Sequence, residues 1–161
     1  MNQVKIYDST LRDGAQSYKV SFSVEDKLAI SKILDEFGVD YIEAGYPTSN
    51  PKDIELFKEL KKIQFNNAKI VAFGSTRKPD ILPAEDEGLL KLIEADTEYI
   101  AIFGKTWDFH ATEIIKTSLE ENLNMIKSSI EFLIKNNKSR REIISSDGIL
   151  CVYLIRFAPI Y

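Results

Sequence analysis

At 161 residues the chain is long enough to bury one sizeable core and too short for two ordinary domains. Its 44% hydrophobic and 29% charged residues fit a soluble globular protein, and a net charge of −4 with a pI near 5.2 offers no basic footprint for nucleic acid or an anionic membrane surface. The one cysteine, Cys151, excludes an intrachain disulfide and a multi-cysteine zinc site. No apolar run reaches the roughly eighteen residues of a membrane span, and the first residues lack the charged-then-apolar pattern of a secretion signal. The expectation is a cytoplasmic protein that handles small molecules.

Val4, Ile6 and Asp8 alternate as a first strand, which runs directly into Ser9-Thr10-Leu11-Arg12-Asp13-Gly14-Ala15-Gln16. Ser23 then stands before Val24-Glu25-Asp26-Lys27 as a helix N-cap with acids in the first turn. Ile30, Ile33, Leu34 and Phe37 follow helical spacing, and Gly38 is placed to end the helix in a left-handed cap. A second strand, Val39 to Glu43, closes at Gly45 and Pro47. Asn50 and Pro51 start a helix whose apolar face is Leu56, Phe57, Leu60 and Ile63. Lys69 to Phe73 is nearly continuous in apolar residues, as a strand buried on both faces should be. A helix over Leu89 to Ala95 and a strand over Tyr99 to Phe103 follow. Ser118 then caps a long helix with Leu119, Leu123, Ile126, Ile130 and Leu133 as one apolar stripe.

Four strands alternating with four helices at intervals of about 30 residues give the rhythm of a parallel sheet. Polar or glycine-bearing loops follow each strand: Thr10 to Gln16, Gly45 to Asn50, Gly74 to Lys78 and Gly104 to His110. A TIM barrel and an open α/β sheet both build their sites there, and pattern alone does not separate them.

The first of these loops concentrates the chemistry. It places a cation, a carboxylate, a glycine and an amide within five residues, Arg12 to Gln16. Such a set suits carboxylate or oxyanion recognition beside a hard-metal ligand, and it equally suits an ordinary Arg–Asp surface pair. Leu11-Arg12-Asp13-Gly14-x-Gln16 with Lys27 resembles the N-terminal signature of the 2-isopropylmalate, homocitrate and citramalate synthases. Tyr41-Ile42-Glu43-Ala44-Gly45-Tyr46-Pro47 is similar to the second strand of that family and its exit loop. Ala72 to Arg77 and Ile102 to His110 look most like the citramalate synthase branch, and the resemblance covers roughly residues 3 to 137.

The resemblance implies the N-terminal half of a TIM (β/α)8 barrel, about four βα units and truncated, over residues 1–137. It implies a Claisen-type condensation of acetyl-CoA with a 2-oxo acid, pyruvate above all, in isoleucine biosynthesis. The implied cofactor is a divalent metal, magnesium or manganese before zinc, and the parent enzyme would be a homodimer. Asp13 becomes a metal ligand, Arg12 the donor to the reacting oxygens, and Gln16 a lining of the substrate or acetyl-CoA position. Glu43 joins the polar inner shell that holds Arg12 or substrate, or is simply a buried partner for a basic residue. Thr76 and Arg77 shape the keto-acid or CoA side, or form only a turn before Pro79. The single histidine, His110, sits beside Trp107 and Phe109 and is expected to be packed or in loose contact with substrate rather than metal-bound.

Half a barrel raises a physical problem, because its first and fourth strands would carry unpaired backbone edges. Beyond Asn137 the family's fifth-strand pattern and its His-x-His pair are missing, and Ile149 to Tyr161 holds no acid and no histidine. A frameshift or gene truncation is the favoured expectation for residues 138–161; a divergent C-terminus is the alternative. Cys151 lies in a strand-like run with no nearby base, so a nucleophilic role is not expected. Competing functional readings are a 2-isopropylmalate synthase, a metal-dependent carbon–carbon lyase on the same Arg-Asp-Gly core, and a non-catalytic remnant or self-pairing half-barrel.

Overall fold

The structure is a computed structural model describing residues 4–136, 143–145 and 150–156. Its frame is a sheet whose first four strands are parallel: β1 (Tyr7–Asp8), β2 (Tyr41–Gly45), β3 (Lys69–Ser75) and β4 (Tyr99–Lys105). Helices α1 (Val24–Phe37), α2 (Pro51–Leu60) and α3 (Glu87–Ala95) connect them, and α4 (Leu119–Asn136) follows the last. The parallel order is the one the strand–helix rhythm implies, and the half-barrel is the one the family resemblance implies.

Local chemistry starts and stops the helices where expected. Ser23 and Asp26 form a reciprocal capping box on α1, and Gly38 ends that helix at φ 89° in the left-handed region. The Asn50 side chain accepts from the Lys52 N–H at 2.9 Å, with Pro51 in the first turn of α2. Ser118 accepts from Glu121 N–H at 3.0 Å at the start of α4. The Asp35 carboxylate, near the end of α1, takes backbone N–H bonds from Asn66, Asn67 and Ala68 at 2.7–2.9 Å and so ties the approach to β3 onto α1.

Strand alternation sorts the core into two layers. Ala44, Ala72, Ile100 and Ile102 point to the helices and pack with Leu56, Leu60, Leu89, Leu92 and Leu133. Val71, Phe73, Tyr99 and Ala101 lie on the opposite, inner face with Tyr41, Tyr46 and Phe103. Glu43 belongs to that inner face by the same alternation, between Ile42 and Ala44, which both pack on the helix side.

Three features differ from the sequence reading. The strands β2, β3 and β4 run two residues further than their apolar runs suggest, and they include Gly45, Gly74 and Gly104. At Gly45 and Gly104 the reason is close approach: a Cβ would stand 2.7 Å from the Asp53 carboxyl carbon or 2.7 Å from Ile126 Cγ1. These glycines admit the following helix rather than turn the chain. The apolar stripes of α1 and α4 are also only partly covered: Ile33 and Phe37 are exposed, and the exposed Leu119 and Leu123 border a cleft shared with Trp107, Asp108 and Ala111. A six-residue π-helical turn, His110–Ile115, precedes α4 where a plain loop was expected.

The β4 edge is not open. Strands β5 (Ile143–Ser145) and β6 (Leu150–Arg156) form an antiparallel pair, and β6 runs antiparallel to β4 from Tyr99↔Arg156 to Lys105↔Leu150. The sheet order is therefore β1-β2-β3-β4-β6-β5. This corrects the expectation that the fourth strand is an open edge: β6 pairs along it, and the edges of the described sheet are the two-residue β1 and the three-residue β5. Most of the segment 138–161 on which the frameshift expectation falls lies outside the described residues.

Burial pushes the Asp35 carboxyl up, but its three backbone donors outweigh that and hold it below the usual carboxylate range. A depressed folded-state pKa contributes stability above the unfolded value and loses it as pH falls through the folded one. Asp35→Ala is expected to cost about 2 kcal/mol in urea unfolding at pH 7, and the loss relative to wild type should shrink below about pH 4.

Candidate active site at the mouth of the half-barrel

The site begins with a buried carboxylate. Glu43 is 2% exposed on the inner face of β2, and its two oxygens have separate partners. One accepts from Arg12 Nε, the other from the Tyr7 hydroxyl at 2.5 Å. Burial, and then the Glu43 charge beside it, push the Tyr7 hydroxyl far above its ordinary range, so it remains a proton donor. Tyr7 comes from β1 and Arg12 from the loop that follows, so Glu43 joins two adjacent strands to that loop.

The loop itself is folded to deliver Arg12. Ser9 C=O accepts from the N–H groups of Arg12, Asp13 and Gly14 at 3.2, 2.8 and 3.2 Å, and Leu11 is fully buried beneath it. The Arg12 guanidinium then lies over the Phe73 ring of β3, Cζ to centroid 3.9 Å. Its Nη1 bonds Asp13 at 2.9 Å, while Nη2 has no acceptor among the described residues. The ring floor continues sideways: Phe73 stacks on Phe103 at 5.4 Å and meets Tyr46 edge-on at 5.9 Å, and the Tyr46 hydroxyl lies 3.2 Å from Ser75 Oγ.

A cleft of about 280 Å³ opens beside this cluster between the β1–α1 and β2–α2 loops. Arg12, Gln16, Tyr46, Lys27 and Asp53 line it. Lys27 and Asp53 form an ion pair at 2.7 Å with both side chains almost buried, and Asp53 also accepts from the Tyr46 N–H at 2.9 Å. Sequence reasoning gave Lys27 no role beyond its place in the signature and passed over Asp53. The only signal for Asp53 was its position in the first turn of α2.

The expected site residues thus divide. Arg12, Glu43 and Gln16 come together at the mouth, and Asp13 joins through Arg12 with its side chain 64% exposed. Arg77 is turned away: it is buried, with Nη2 2.7 Å from Glu121 and Nε 2.9 Å from Ser128, both on α4. Thr76 gives its N–H to Phe103 C=O at 3.1 Å at the top of β3. His110 packs against Trp107 at 4.8 Å, and its buried Nδ1 has no partner among the described residues. No group of three His, Cys, Asp or Glu that could hold a metal occurs among the described residues. With one exposed carboxylate already bonded to an arginine, these residues do not by themselves fit a divalent cation.

Four parallel strands with their connecting helices make half of a (βα)8 barrel, with Arg12 and the buried Glu43 at the C-terminal ends of the strands. The fold comparison agrees: a solved structure of Bacillus subtilis HMG-CoA lyase superposes with a TM-score of 0.63 at 22% identity, over 85% of this chain and 44% of that one. The chain belongs to the HMGL-like family, whose sequence model matches residues 3–150. It is 53% identical over 136 residues to an (R)-citramalate synthase of Geobacter sulfurreducens, covering 84% of this chain and 26% of the relative. It is 54% identical over 131 residues to one of Aquifex aeolicus, covering 81% and 25%. The chain therefore spans about a quarter of the length of these curated relatives. No helix among the described residues is long and apolar enough to cross a membrane.

Removing one partner of a buried pair leaves the other charge uncompensated. Arg12→Ala and Asp53→Ala are each expected to destabilise the chain by about 3 kcal/mol in urea unfolding. Asp13→Ala, at an exposed pair, should stay within about 0.5 kcal/mol of wild type.

Proposed function

We propose that this chain supplies the N-terminal half of the catalytic barrel of a citramalate synthase-type acyltransferase, condensing acetyl-CoA with pyruvate on the route to isoleucine. The reading rests on one observation above all. Arg12 is fixed by Glu43 and Phe73 at the open mouth of the strands, with Nη2 left free of protein acceptors among the described residues. The names of its curated relatives support the same chemistry.

In the condensation, the acetyl methyl carbon loses a proton and attacks the keto carbon of the 2-oxo acid, whose carbonyl oxygen becomes an alkoxide. The thioester is then hydrolysed. Charge develops on oxygen, so a pre-positioned donor lowers the barrier most effectively. Arg12 fills that role, and Glu43 is the residue that positions it: with its other oxygen held by Tyr7, it fixes the guanidinium before substrate arrives. Gln16, on the cleft wall beside Arg12, lines the acetyl-CoA side. Asp13 is proposed as one donor of a divalent-cation site whose other donors are not among the described residues. Thr76 remains a candidate at the β3 mouth, whereas the α4 contacts of Arg77 favour a structural part in holding the β3 exit. On this reading residues 1–137 are the half-barrel and 138–161 a divergent tail, and the complete enzyme is a cytoplasmic homodimer.

The test is a chimera in which residues 4–136 replace the matching segment of the Geobacter sulfurreducens relative. It is expected to release CoA from acetyl-CoA with pyruvate, faster than with 2-oxoisovalerate, and Arg12→Ala in the chimera should lower kcat by about 100-fold or more. The unfused chain should give no turnover. A soluble, folded chimera without pyruvate-dependent CoA release overturns the reading, as does turnover indifferent to Arg12.

A further inference from the structure

The mouth of the half-barrel carries a second cation that the proposed chemistry has not used. Alternation along β4 puts Tyr99, Ala101, Phe103 and therefore Lys105 on the inner face. That register is locked from behind. Gly104 faces the helices, where Ile126 of α4 leaves no room for a side chain, and the Asn122 amide donates to Lys105 C=O at 2.8 Å. Lys105 Nζ lies over the Phe103 ring at 5.1 Å from its centroid. Phe103 stacks on Phe73, and Phe73 carries Arg12. Two stacked rings thus separate two cations, one from β4 and one from the β1–α1 loop.

The two cations are not in the same electrostatic state. Arg12 is matched by two carboxylates, Glu43 and Asp13. Among the described residues Lys105 forms no ion pair, and its one side-chain partner is the Phe103 ring. An aromatic floor beneath a charge that has no counter-ion favours an anion from solution, because the ring limits the ammonium's conformations without neutralising it. Both substrates of the proposed reaction bring such an anion: the 2-oxo acid has a carboxylate next to its reacting carbonyl, and CoA has phosphates.

We propose that Lys105 anchors an anionic oxygen group of a substrate on the β4 side of the site, across the Phe73–Phe103 floor from Arg12. This rests on the acyltransferase reading. It adds a division of labour: Arg12 takes the oxygen whose charge changes during reaction, and Lys105 takes one whose charge does not. Lys105 is then a determinant of ground-state binding, so its loss should appear in affinity.

Calorimetric titration of the chain at low salt with pyruvate and, separately, with CoA tests this. Lys105→Met keeps the stem packed on Phe103 and removes the charge; Lys105→Arg restores the charge. The expected result is about tenfold weaker binding of one ligand in Lys105→Met, recovered to within about threefold in Lys105→Arg. A change confined to pyruvate names the carboxylate as the anchored group, and a change confined to CoA names the phosphates. Wild-type affinity for both ligands in Lys105→Met overturns the assignment and leaves the acyltransferase reading standing. A wild-type chain that binds neither ligand at millimolar concentration also overturns the Lys105 assignment, whereas the acyltransferase reading falls only with the chimera's loss of pyruvate-dependent CoA release.

Discussion

A carboxylate placed 2% exposed on the inside of a curved sheet must be matched, or the strand that bears it will not stay there. Glu43 sets that condition for this fold. Arg12 meets it, and in doing so it draws the β1–α1 loop across the strand ends, over Phe73. The three N–H groups gathered on Ser9 C=O and the burial of Leu11 are the local means by which the loop reaches. Tyr7 occupies the remaining oxygen and ties in the shortest strand of the sheet. The residues proposed to act at the mouth are therefore the same residues that hold its first two strands together.

A second buried pair works behind the first. Lys27 from α1 and Asp53 from α2 meet beneath the exit of β2, in space that exists because Gly45 has no side chain. Asp53 also holds the Tyr46 N–H, and the Tyr46 ring closes one side of the Phe73 floor on which Arg12 lies. Helix packing and site geometry are coupled here through one carboxylate.

Much of this was legible in the residues, and the pattern of what was not is instructive. Capping chemistry is local, so Ser23, Gly38, Asn50 and Ser118 were placed correctly from short windows. The parallel rhythm and the loop bearing Arg12, Asp13 and Gln16 were equally plain. Gly45 and Gly104 misled because a glycine at a strand end reads as a turn, whereas here it makes room for a side chain from another element. Periodicity defined the apolar faces of α1 and α4 but says nothing of what stands opposite, hence the exposure of Phe37 and Leu123. The Lys27–Asp53 pair was invisible for a similar reason: charged residues in first turns read as solvated until the fold brings them together. The run around Cys151 and the β4 segment each read as a strand; their antiparallel pairing did not, because pairing across that separation leaves no spacing signal.

That pairing has a kinetic side. The β5–β6 contact joins neighbours in sequence, and hairpins of this kind form in microseconds, whereas closing a parallel barrel requires the first and last strands to find each other across the whole chain. Once β6 lies along β4 in the reverse direction, a strand running parallel to β4 can join there only after the β6 ladder is broken. The hairpin is thus a locally formed competitor for the position that a fifth barrel strand would take. It covers the seven-residue β4 and moves that edge of the described sheet out to the three-residue β5, and short edge strands are the poorer templates for pairing with another copy.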